Sequence, residues 1–133
     1  MVSKCENQLM GTLNLTACKI MTFIPSGENF EKAIQFYKEI GFIVDSASES
    51  FAVFSKDQCK FFLQRYPNEW IKGNLMMALE VQNLDDWWTM LSGLGLEEKY
   101  ENVKITAPKV YPWGIRQAHL VDICGVFWHI AEA

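Results

Sequence analysis

Residues 29–41 read NFEKAIQFYKEIG, and residues 83–95 read NLDDWWTMLSGLG. Superposed without a gap, they match Asn29 with Asn83, Phe30 with Leu84, Ile34 with Trp88, Phe36 with Met90, Ile40 with Leu94 and Gly41 with Gly95. In the first segment, Phe30, Ala33, Ile34, Tyr37 and Ile40 recur at the spacing of one helical face. Asn83 is a natural N-cap, with Asp85 and Asp86 in the first turn. Glu28 and Glu31 place negative charge at the start of the first helix. Gly41 and Gly95 stand where a helix is stopped.

A second match lies downstream of each helix. DQCKFFLQ, residues 57–64, aligns with DICGVFWH, residues 122–129, with Asp, Cys and Phe at equal spacing. Two matches in the same order point to a duplicated unit of strand, helix and three strands. Its first copy is predicted over about residues 16–66: a strand over 16–25, the helix, and strands near 42–47, 50–55 and 59–65. The stretch YPNEWIKG, residues 66–73, reads as a linker. The second copy runs over about residues 74–132, starting with the strand LMMALEV. Residues 1–13 are a lead-in without periodicity, and 97–108 reads as a loop. The predicted fold is α+β, two tandem βαβββ modules forming a curved mixed sheet around a cleft.

Composition narrows the function. The chain has 133 residues and a net charge of −4, with 50% hydrophobic and 14% aromatic residues, enough for one domain with apolar surface to spare. An acidic balance excludes a basic nucleic-acid stripe and favours a neutral or cationic small molecule. Cys5, Cys18, Cys59 and Cys124 form no CxxC pair, no signal-peptide pattern opens the chain, and no apolar run is long enough to span a membrane. A cytoplasmic protein with free thiols is expected. There is no glycine-rich phosphate loop and no nucleophile elbow.

Three stretches resemble the vicinal-oxygen-chelate superfamily, which includes glyoxalase I, bleomycin-resistance proteins and extradiol dioxygenases. NFEKAIQFYKEIGF is similar to its first helix. YPWGIRQAHLVD resembles the Pro-Trp-Gly-x-Arg segment of bleomycin-resistance-like members. DICGVFWHI resembles its final turn and strand, with Ile123 for the usual Pro and Val126 for the usual Asn. The resemblance covers about residues 18–131 and implies the paired-module fold and a homodimer whose cleft is built from both chains. It also implies four metal-ligand positions, which fall near Thr22, Gln64, Met76 and His129. That quartet has no carboxylate, and thioether and hydroxyl are poor ligands for hard divalent ions. No metal or other cofactor is therefore expected.

A hairpin turning at Ile123–Cys124 would place Ala118 opposite His129 and His119 opposite Trp128. The two histidines would then point to opposite faces. Under that register they cannot share a metal, although a bulge at the turn would change it. The expected protein is a metal-independent binder of a flat ligand, neutral or cationic. Its candidate ligand-binding residues are Trp113, His129, Gln64, Trp70, Arg116 and Glu80, with no catalytic residue. Glu80 can equally be an exposed strand carboxylate, and Arg116 can brace the cleft or pair with a surface acid. The alternative is a metal-dependent glyoxalase I-like lyase or a related oxygenase. A dimer with a vestigial cleft is a third possibility.

Overall fold

A computed structural model of the chain describes residues 12–66 and 74–133. The first module is β1 (Phe23–Pro25), α1 (Phe30–Glu39), β2 (Ile43–Ala47), β3 (Phe51–Lys56) and β4 (Cys59–Gln64). The second is β5 (Met76–Val81), α2 (Leu84–Gly93), a short α3 (Leu96–Lys99), β6 (Lys104–Val110), β7 (Arg116–Val121) and β8 (Phe127–Glu132). The fold is α+β with two βαβββ modules, as the duplication requires. The strands form two four-stranded sheets, ordered β1-β4-β3-β2 and β5-β8-β7-β6, rather than one continuous sheet. In each, the first strand runs parallel to the last and the others are antiparallel.

Both helices begin alike. The Asn29 side chain accepts from the Lys32 N–H, and the Asn83 side chain accepts from the Asp86 N–H, each at 3.0 Å. Each cap satisfies one of the helix's orphan donors. Each helix lies on the buried face of its module, and the two buried faces share one core. Trp128 on β8 meets Phe61 on β4 at 5.7 Å, and the rings of Tyr37 and Phe42 lie 6.1 and 6.5 Å from it. The two remaining sheet faces therefore look away from this shared core.

One polar group sits inside the junction. Asp122, almost fully buried, accepts from the backbone N–H of Cys124 (2.9 Å) and Val126 (2.8 Å), and from the Tyr37 hydroxyl. The Trp128 indole N–H donates to the Tyr37 oxygen at 3.0 Å. Burial pushes the Asp122 carboxyl up to about 6, against the lowering effect of its hydrogen bonds. The Tyr37 hydroxyl is raised well above its ordinary value, first by burial and then by Asp122.

Several expectations need correction. β1 is only Phe23–Pro25, because it pairs with β4 from Phe23↔Phe62 onward and β4 itself starts at Cys59. A strand reaching back to Thr16 would have had nothing to pair with. Residues 97–108 are not a loop: they hold most of α3 and much of β6. Pro108 concealed that strand, since it lacks a ladder donor. It is tolerated because β6 is an edge strand with a bulge between Thr106 and Lys109. Strand β2 carries an equivalent bulge at Asp45. Among the described residues no helix is long and apolar enough to cross a membrane.

Candidate ligand-binding face

The β7–β8 register differs from the expected one by a residue. Val121 pairs with Phe127, so residues 122–126 form a five-residue loop closed by the Asp122 N–H donating to the Val126 carbonyl. Asp122 shapes that loop by folding its carboxylate onto the N–H groups of Cys124 and Val126. His119 consequently pairs with His129, and both project from the open face of the second sheet. The expectation of histidines on opposite faces is overturned. Their rings meet edge to face, with centroids 5.0 Å apart.

The ladders define that face. Across strands β5, β8, β7 and β6, one row is Met76, Phe127, Val121 and Lys104. The next is Ala78, His129, His119 and Thr106. The third is Glu80, Ala131, Gln117 and Lys109. The β6–β7 turn extends the surface. Gly114 donates to the Tyr111 carbonyl at 2.8 Å and holds φ +89°, a left-handed conformation that costs glycine little. This Pro-Trp-Gly turn lays Trp113 on Tyr111, centroids 4.9 Å apart and planes 11° apart. Tyr111 packs on His119 at 4.8 Å, His119 on Phe127 at 4.8 Å, and Phe127 on His129 at 4.7 Å. The result is a continuous run of rings, ending in a Trp113 that is 57% exposed.

Gln117 bridges the pair. Its buried Oε1 lies 3.0 Å from His119 Nε2 and 3.1 Å from His129 Nδ1. An amide oxygen only accepts, so both of those nitrogens carry hydrogen. His119 Nδ1 is then the acceptor for the Tyr111 hydroxyl at 3.2 Å. Burial, the neighbouring His129 and Lys109 all lower the His119 pKa, which keeps it neutral. His129 Nε2 lies 3.2 Å from the Met76 sulfur, a thioether that can only accept. Sequence reasoning passed over Gln117, Tyr111 and Phe127. A corrected register would have put Gln117, His119, Phe127 and His129 on one face.

Among the expected ligand residues, Trp113, His129 and Glu80 lie on this open surface. Glu80 also borders a groove of about 710 Å³ between the β3–β4 turn and the start of α2. Gln64 is on the open face of the other sheet, near the exposed cluster of Phe23, Phe51 and Phe62. Arg116 has the parity of the core residues Ala118 and Leu120 and reaches back to α2, pairing with Asp85 at 2.6 Å. Trp70 falls outside the described residues. Of the expected metal positions, Met76 does stand beside His129, but the ladder partner of Gln64 is Pro25, not Thr22.

A hard divalent ion does not fit this donor set. The neighbour of His129 Nε2 is a thioether, and Glu80 pairs with Ala131 rather than with His129. Among the described residues no three His, Cys, Asp or Glu side chains are grouped to hold a metal.

No protein-family model and no curated protein matches the chain. Solved structures do. A bleomycin-binding protein in complex with bleomycin is 18% identical, with TM-score 0.77 over 88% of this chain and 99% of that one. A transposon-encoded bleomycin resistance determinant is 19% identical, with TM-score 0.75 over 87% and 98%. This chain has the bleomycin-resistance-protein fold. A glyoxalase/bleomycin resistance protein/dioxygenase from Nocardioides is also similar, at 17% identity and TM-score 0.63 over 98% and 93%. Identities this low speak for the fold alone.

Proposed function

We propose that the protein binds a flat small molecule on the open face of its second sheet without the help of a divalent metal. The observation that carries this reading is the run of rings from Trp113 through Tyr111 and His119 to Phe127 and His129. An exposed tryptophan already stacked from below presents its other face to a planar ligand at little further ordering cost. The Gln117 clamp holds the His129 ring in place at the edge of this run. The structural similarity to bleomycin-binding proteins supports a binder over a catalyst.

The face has one wall. The open face of the first sheet lies across the shared core and cannot close over it within one chain. A homodimer supplies the second wall when the Phe23, Phe51 and Phe62 surface of one copy covers the aromatic run of another. Gln64, exposed beside that surface, then enters the cleft from the partner.

Calorimetric titration of naphthalene-sized aromatic probes tests the reading. The Trp113→Ala variant should bind about five- to tenfold more weakly, with an unchanged melting temperature, because the side chain is exposed. A large loss of thermal stability would instead make Trp113 a packing residue, and unaltered affinity would remove it from the site.

A further inference from the structure

Resting on that reading of the face, we infer that its ligand is a planar aromatic carrying an anionic group, held with the ring over Trp113 and the anion toward β6. The net charge of the chain points the other way, toward a cation. Local placement decides otherwise. Lys104 and Lys109 occupy the two ends of the β6 edge of the face, with Thr106 between them. Among the described residues neither lysine has a carboxylate within ion-pair distance. The β6–β7 turn that carries the tryptophan begins one residue beyond Lys109, after Val110.

The one carboxylate in the grid, Glu80, is on the opposite edge strand. Three strand spacings separate it from Lys109, roughly 14 Å. That is beyond a Debye length at ordinary salt, so Glu80 offsets little of the lysine field over the tryptophan. The position that would attract a cationic ligand is also filled. The Lys109 ammonium lies 5.1 Å from the centroid of Tyr111, the ring that stacks on Trp113. A second cation there would be repelled, whereas a carboxylate, sulfonate or phosphate attached to a stacked ring would meet an ammonium that no carboxylate neutralises.

Three probes of one shape separate the possibilities: 2-naphthoate, 2-naphthamide and 2-naphthylmethylammonium, titrated at pH 7.5 and low ionic strength. The naphthoate should bind about fivefold more tightly than the amide, and the ammonium more weakly than either. The Lys104→Gln, Lys109→Gln double variant should erase the difference between naphthoate and amide while still binding the amide. Added salt should weaken only the naphthoate. Equal affinities, or a preference for the ammonium, would overturn the charge assignment and leave the aromatic face standing. Failure of all three to bind would remove the face itself as a ligand site, and this inference with it.

Discussion

The β3–β4 turn and the β7–β8 turn join equivalent strands, and each begins with an aspartate, yet they do opposite things. Asp57 sits at φ +53° in a two-residue turn, exposed, with Lys56 paired directly to Cys59. Asp122 starts a five-residue loop and is buried, with three hydrogen bonds to its carboxylate. The same residue at the same place in a duplicated unit has become a surface turn in one copy and the polar centre of the module junction in the other. Equivalent sequence therefore guarantees an equivalent strand, but not an equivalent connection. The connection decides which residues the next strand presents.

The largest test of that contrast removes the carboxylates. Asp122→Ala strands two backbone N–H groups and the Tyr37 hydroxyl in the core, and should cost about 2–3 kcal/mol at pH 5. Asp57→Asn, which keeps a residue tolerant of positive φ, should stay within about 0.5 kcal/mol in the same urea titration. Similar losses at both sites would mean that the two turns carry equal weight after all.

Acidity sharpens the comparison. The Asp122 carboxyl holds its proton to about 6 when folded, against an ordinary value of 3.8. Where the folded state binds the proton more tightly, stability is greatest at low pH and falls as pH rises from about 4 through 6. The wild-type protein should lose up to roughly 3 kcal/mol across that window relative to Asp122→Asn, which cannot ionise. Parallel stability profiles for the two proteins would remove the buried charge from the account.

Smaller effects probe what the modules share. Asn29→Ala and Asn83→Ala each delete one N-cap bond of equal length, so each should cost about 1 kcal/mol and the two should agree within a few tenths. A marked inequality would show one helix leaning more heavily on its tertiary contacts. The smallest change is expected at Arg116. Its pair with Asp85 is exposed, so Arg116→Ala should cost less than about 1 kcal/mol. Its side chain projects toward α2, so probe affinity should be untouched.

What could be read from the sequence follows the same division. The helices and the module order were visible because an amphipathic face, an asparagine cap and a stop glycine are local signals repeated at fixed offsets. The β7–β8 loop was not, because its length is set by the Asp122 side chain bonding its own backbone, a choice that alternation along the strands does not reveal. One residue of slip reversed the relation of His119 to His129 and hid Gln117. Strand β6 was lost for a related reason: Pro108 argues against a strand until the edge position and the bulge are known. Arg116 was legible only as a pair of options, and parity on β7 resolved it toward Asp85.

The Tyr37 hydroxyl has a consequence for the order of assembly. It joins Asp122 and Trp128 across 85 and 91 residues of chain. Each module can form its helix and sheet from nearby contacts, but these two bonds close only when the finished modules dock. Loop closure over such separations is entropically expensive and comes late in folding. The junction therefore acts as a latch rather than a nucleus: weakening it should chiefly hasten unfolding and leave the rate of folding almost unchanged.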